Sequence, residues 1–327
     1  MKKLMVIPLV AAGMAAMVGC SKTPVKEAAK NDAINLANLD TAVAPGTDFY
    51  QYACGGWMKN NPLKPEYARF GTFDQLRDNN QEQIRTLIEG LSETPGQEGS
   101  VGQKIGMLFA MGMDSVKLNE DGYAPIKDQL AEINKLGTKD ELTKMVATLH
   151  KEGMAPFFAL YVGADEKNSS MNIVQLYQAG LGMGDRDYYL LEDESSQKMR
   201  EAYKNYITRL FTLIGSSPEQ ADAAVNAIMK IERGIAEVSF SREDLRDSQK
   251  NYNKMSIEDF KAKNDLLNWD VYFESMGMMD IKYLDAKQLS FYEGLSALMK
   301  NTTLDEQKYY LTFNLLSFAA PYPVSYT

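Results

Sequence analysis

The sequence predicts a mainly α protein, a multi-helix domain with a small β-hairpin or sheet near residues 157–177. Three observations carry that expectation. Apolar residues recur at helical spacing through most of the chain, several of the segments they define start at a capping residue and stop at a glycine, and one stretch, Phe157 to Tyr177, changes to short β-branched and aromatic runs. A chain of 327 residues, 45% hydrophobic and 24% charged, is long enough for one large or two medium domains with a sizeable core.

The N-terminus reads as a targeting segment rather than a structural one. Lys2 and Lys3 precede an apolar run from Leu4 to Val18, and small residues lead to Gly19-Cys20. That run falls short of the roughly 20 residues a membrane span requires. Met17-Val18-Gly19-Cys20 resembles a bacterial lipobox, so residues 1–20 are expected to be a lipoprotein signal peptide that leaves a lipid on Cys20; a plain secretory signal is the alternative. Residues 21–44, rich in Lys, Ala and Asn, read as a flexible tether. Residues 45–327 form the expected folded part, and a bacterial cell envelope, facing the periplasm or exterior, is the expected location.

The folded part opens with Asp48-Phe-Tyr-Gln-Tyr-Ala-Cys-Gly-Gly-Trp57, where Phe49, Tyr52, Ala53 and Trp57 share a helical face and Gly55-Gly56 leave room for another backbone or a ligand. Phe73, Leu76, Ile84, Leu87, Ile88 and Leu91 mark the next helix, ending near Pro95-Gly96. A second carries Ile105, Leu108, Phe109 and Met113, and a third opens at Pro125 and repeats through Leu136. Thr138 with Glu141 forms a capping box ahead of Leu142, Met145, Val146 and Leu149, and Gly153 ends that helix.

Phe157–Val162 and Ile173–Tyr177, separated by the polar stretch Asp165–Ser170, predict the hairpin. Gly180, Gly182 and Gly184 follow, but without the Lys-Ser/Thr of a phosphate loop they are weak evidence for nucleotide binding. Helices resume from Met199 to Leu213. Ser217-Pro218-Glu219-Gln220 starts another through Ile235, and Ser256 caps the one after it; Trp269–Phe273, Leu289–Met299 and Tyr309–Ala320 complete the series.

Charge and side-chain inventory exclude several function classes. A net charge of −9 and the lack of a basic block argue against a nucleic-acid partner. His150 is the single histidine, placed at a helix end where a capping or solvated role is expected. It would have to serve any Ser/His/Asp or Cys/His set alone, and no G-x-S-x-G elbow supports one. Glu243 and Asp247 lie in a charged run that reads as a solvated face. Cys54 is the only cysteine after Cys20, which leaves it without an intrachain partner in a cleaved, exported chain. No catalytic residue is assigned.

At least four signatures resemble the neprilysin-type zinc metalloendopeptidases, whose bacterial members include the oligopeptidase O enzymes. Asp48–Trp57 with Ala68-Arg-Phe-Gly-Thr-Phe-Asp74 matches D-F-Y-x-Y-x-x-G-G-W and R-[YFW]-G-x-F-D. Val162–Ser169, Gly180–Tyr189 and Asn251–Ser256 match V-G-x-D-x-K-N-S, G-L-G-x-x-x-R-D-Y-Y and Y-N-K-M-[ST], and Tyr309–Leu316 resembles a Y-L-x-W-x-L-L helix. The resemblance implies that Arg69 hydrogen-bonds a peptide substrate, that Asp74 orients the guanidinium and that Phe73 lines the adjacent pocket; a planar guanidinium held by a carboxylate suits carbonyl or carboxylate recognition. It also implies zinc in the full-length family, held by H-E-x-x-H and E-x-x-x-D with a Glu general base. With one histidine this chain cannot build that pair, so no metal ligand and no cofactor is assigned to it. The expectation is therefore the N-terminal domain of a cell-envelope oligopeptide-hydrolysing endopeptidase, truncated at its C-terminal end relative to the family. Its expected partners are peptide substrate, the membrane through a lipid anchor, and a separate catalytic-half chain. A non-catalytic envelope lipoprotein with a helical peptide- or protein-binding surface is the alternative.

Overall fold

The computed structural model describes residues 34–63 and 69–321. Cys20 lies outside these residues. The chain divides between Glu89 and Gly90 into two compact units.

The first unit is built on α1 (Phe49–Asn60) and the start of α2 (Thr72–Glu93). Asp48 caps α1 by accepting from the Gln51 amide at 2.9 Å. Residues 36–43 fold back onto it: the Asp40 amide donates to the Tyr52 carbonyl at 2.8 Å, and a Cβ at Gly56 would overlap the carbonyl oxygens of Ala37 and Leu39. The glycine is required because backbone, not a side chain, fills that space. Trp57 is half-buried, stacks on Phe70 with ring centroids 6.0 Å apart, and donates from Nε1 to Gln75 at 3.3 Å.

The second unit continues with α3 (Val101–Met113), α4 (Ser115–Asp121), α5 (Lys127–Lys135) and α6 (Lys139–Lys151). The capping box of Thr138 and Glu141 is present at the start of α6. The hairpin follows as β1 (Phe158–Asp165) and β2 (Asn168–Gln178), then α7 (Asp187–Leu190), α8 (Glu194–Leu213) and α9 (Pro218–Val238). Two strands absent from the sequence expectation extend the sheet: β3 (Lys254–Ser256), leading into α10 (Ile257–Lys263), and β4 (Tyr283–Ala286), placed between α11 (Trp269–Met276) and α12 (Leu289–Lys300). The final helix is α13 (Leu304–Ala319). The sheet order is β1-β2-β4-β3, with β2 and β4 parallel and the other pairs antiparallel.

The two signatures around the sheet meet in space. Asp165, at the hairpin turn, accepts from Tyr252 Oη at 2.9 Å and pairs with Lys254 Nζ at 2.7 Å. Lys287, almost fully buried, pairs with Asp285 at 3.2 Å and with Glu166. A lysine in that setting keeps its charge because two carboxylates compensate the burial.

The core lies between the sheet and α6, α9, α11, α12 and α13, with Phe158, Phe260, Trp269, Tyr272 and Tyr292 packed ring against ring. Close approach of α9 and α12 rests on two glycines: a Cβ at Gly234 would overlap Leu298, and one at Gly294 would overlap Val238. By contrast, α2 buries no side chain within the described residues, and its expected core face, Phe73, Leu76, Ile84 and Leu87, is exposed. The same holds for Val101, Leu108 and Met111 on α3.

Candidate functional site

Arg69, Phe73 and Asp74 fall within one short segment leading into the first turn of α2. Arg69 is exposed, and the Phe73 side chain is 88% accessible. Asp74 accepts from the Gly71 amide at 3.0 Å, which fixes the turn entering the helix, and pairs with Arg77 Nη1 at 3.1 Å. Among the described residues no ion pair joins Arg69 to Asp74. The turn therefore presents a guanidinium and a phenyl ring outward at the start of α2.

His150 differs from its expected capping or solvated role. Its Nδ1 lies 2.6 Å from Tyr272 Oη and its Nε2 lies 3.1 Å from the Pro156 carbonyl, with Phe158 edge-on at 4.7 Å. A carbonyl can only accept, so Nε2 carries the proton and Nδ1 accepts from the tyrosine. Burial lowers its pKa to about 4 against the opposing effect of the Pro156 and Phe158 backbone contacts, and the ring stays neutral. The hydroxyl that engages the ring belongs to Tyr272 on α11, 122 residues away in sequence, and so leaves no local signal around His150.

A second constellation surrounds the Gly180–Tyr189 loop. Glu232 on α9, 1% exposed, accepts from Tyr189 Oη at 2.6 Å and Tyr203 Oη at 2.9 Å, and from the Gly182 amide. A Cβ at Gly182 would overlap the Tyr203 hydroxyl. Tyr310 Oη donates to the Gly180 carbonyl at 2.8 Å and accepts from the Phe157 amide at 3.1 Å. Burial pushes the Glu232 carboxyl up to about 7, although all three donors favour the anion. Further along the loop, Asp185 accepts from the Asp187 amide at 2.9 Å and pairs with Arg242. The loop borders a cleft of about 640 Å³ whose wall includes Met154, Leu181, Glu232, Phe313 and Asn314. Glu232 escaped the sequence reading, yet it carried a signal. It falls on the same apolar stripe as Ile228, Ile231 and Ile235, where a carboxylate must find buried donors.

Residues 45–326 match the model of peptidase family M13, N-terminal part. The chain belongs to peptidase family M13. Mouse endothelin-converting enzyme 1 is 29% identical over 341 residues, which cover 96% of this chain and 43% of that protein. The bovine enzyme is 32% identical over 245 residues, covering 72% of this chain and 31% of that protein. Among solved structures, the Mycobacterium tuberculosis zinc metalloprotease ZMP1 in complex with an inhibitor superposes with a TM-score of 0.77 at 24% identity, over 89% of this chain and 44% of that one. PepO from Lactobacillus rhamnosis gives 0.65 at 19% identity, over 84% and 43%. Those structural likenesses show a shared fold. The chain spans less than half the length of these relatives.

M13 peptidases are zinc metallopeptidases. The described residues do not fit that ion. The chain's one histidine has both ring nitrogens engaged, Glu243 and Asp247 are exposed, and among the described residues no group of three His, Cys, Asp or Glu side chains is arranged to hold a metal. Cys54, half-buried on α1, has no disulfide partner among the described residues.

Proposed function

We propose that this chain forms the N-terminal part of a cell-envelope M13 endopeptidase that hydrolyses oligopeptides, contributing substrate contacts and the helical cap of the active-site cavity. The observation that carries this reading is the family signature at Arg69–Asp74 presented outward at a capped helix start. Arg69 donates to a carbonyl or carboxylate of the bound peptide, Phe73 lines an apolar pocket beside it, and Asp74, fixed by Gly71 and Arg77, holds the segment in register.

The zinc ligands and general base come from a catalytic half outside these 327 residues. The apolar faces of α2 and α3 support such a partner, because a row of exposed Leu, Ile and Met residues is the composition of a buried interface. A lipid on Cys20 tethers the assembly to the envelope.

The coding sequence beyond Thr327, in some frame, is expected to specify H-E-x-x-H and E-x-x-x-D. In the zinc-loaded protein made with that half, Arg69→Met lowers kcat/KM for oligopeptides by roughly 10- to 100-fold, the loss of one charge-assisted hydrogen bond at the transition state. Unchanged kinetics in that variant would remove Arg69 from the substrate site. Independently, Cys20→Ser abolishes incorporation of labelled fatty acid and releases the protein from the membrane fraction; retention there with no label would point to a different anchor.

A further inference from the structure

We propose that the cleft bordered by Gly153–Ala155, Gly180–Gly184 and the C-terminal half of α13 binds a primary ammonium group on an aliphatic stem, with the Glu232 carboxylate as counter-ion. Glu232 is the only Asp, Glu, Lys or Arg among the described residues of its wall, and apolar side chains including Met154, Leu181, Leu245 and Phe313 make up much of the rest. The cleft thus combines one acidic site with surface suited to a hydrocarbon stem.

The carboxylate is supplied with donors but not with positive charge. Tyr189, Tyr203 and the Gly182 amide are all neutral, as is Tyr310, which faces the same network from α13; burial raises all three tyrosine hydroxyls further from ionisation. Three of the surrounding arginines are engaged elsewhere. Arg233 pairs with Glu237 and reaches the Tyr189 carbonyl at 3.4 Å, Arg242 pairs with Asp185, and Arg200 donates to the carbonyls of Tyr188 and Leu191. Arg186, beside Asp185 on the loop, has a buried Nε without a hydrogen-bond partner, but it neither bonds to Glu232 nor figures among the charges that act on it. A buried carboxylate without a cation is costly, and a ligand that brings one recovers the difference.

The chemistry of the wall selects the cation. A divalent metal requires several more anionic or imidazole ligands than one carboxylate. A guanidinium distributes five donors in a plane and needs a matching fork of acceptors. An ammonium needs three acceptors in a compact arrangement, and the polar side chains of Asn314 and Ser317 stand in the same wall as Glu232.

Binding is coupled to a proton. Burial raises the Glu232 carboxyl to about 7, so part of the population carries a proton there at neutral pH, and an ammonium ligand expels it. Titration calorimetry of the full chain with n-hexylammonium chloride, in two buffers of different ionisation enthalpy, reads both terms, and n-hexanol serves as the uncharged comparison. The expected result is saturable binding roughly tenfold or more tighter than n-hexanol, release of protons on binding at pH 7, and tightening from pH 6 to pH 8. Glu232→Gln reduces n-hexylammonium to the affinity of n-hexanol and abolishes proton release. Because proton release is measured on the unaltered protein, the outcome does not depend on that variant folding. No saturable binding, equal affinity for the two probes, or binding without proton release would each overturn the assignment.

Discussion

Removing the Tyr310 hydroxyl leaves two backbone groups of the second unit without this partner, the buried Phe157 amide and the half-buried Gly180 carbonyl. Phe157 also holds a left-handed φ of 67°, which a non-glycine residue keeps only when its surroundings fix it. Tyr310→Phe is therefore expected to cost about 2–3 kcal/mol in urea unfolding, far more than a solvent-exposed Tyr→Phe. Two buried titrating groups set the pH dependence with opposite signs. His150 has its pKa lowered from 6.5 to about 4, so its contribution is present above pH 6.5 and lost as pH falls toward 4. Glu232 has its pKa raised from 4.5 to about 7, so its contribution is full below pH 4.5 and lost as pH rises through 7. From these two groups wild-type stability is nearly flat between pH 4.5 and 6.5 and falls toward pH 7.5. Glu232→Gln should convert this to a rise over the same interval and a plateau above it, read from urea midpoints against pH. Parallel profiles for the two proteins would show that Glu232 does not titrate in this range.

The helices with clear periodicity and caps, such as α6 behind Thr138-Glu141 and α9 behind Ser217-Gln220, were legible in the sequence because local chemistry decides them. Strands β3 and β4 were not, since three or four residues carry no measurable period and their pairing partners lie far away in the chain. The seven-residue α4 escaped for the same reason. The candidate site divides in the same way. Arg69–Asp74 was readable as a signature, whereas the Glu232 network draws on three separate helices and a loop. Helix spacing also decides which glycines matter. In α3, Gly106 faces the Leu91 carbonyl so closely that a Cβ would overlap it, while Gly112 has open space around it. Gly106→Ala is expected to cost about 1–3 kcal/mol, because the obstruction is backbone and cannot rotate away. Gly112→Ala in the same helix should instead stabilise by about 0.5–1 kcal/mol, the ordinary helix-propensity gain. Thermal melts of the pair distinguish local packing from propensity, and an equal effect of both substitutions would contradict the close approach of α3 to Leu91.

At the scale of the molecule, a chain that spans less than half of its M13 relatives has the family's N-terminal signatures, a well-packed second unit, and helices α2 and α3 with exposed apolar faces. We propose a division of labour, with substrate contact and cavity cap here and zinc chemistry in the other half. Its central claim, that hydrolysis is not encoded in these 327 residues, is tested most directly by assaying the purified chain alone against a fluorogenic oligopeptide, with added zinc and then with a chelator. Cleavage no faster than the blank under both conditions is the predicted result. Chelator-sensitive turnover by the isolated chain would contradict it.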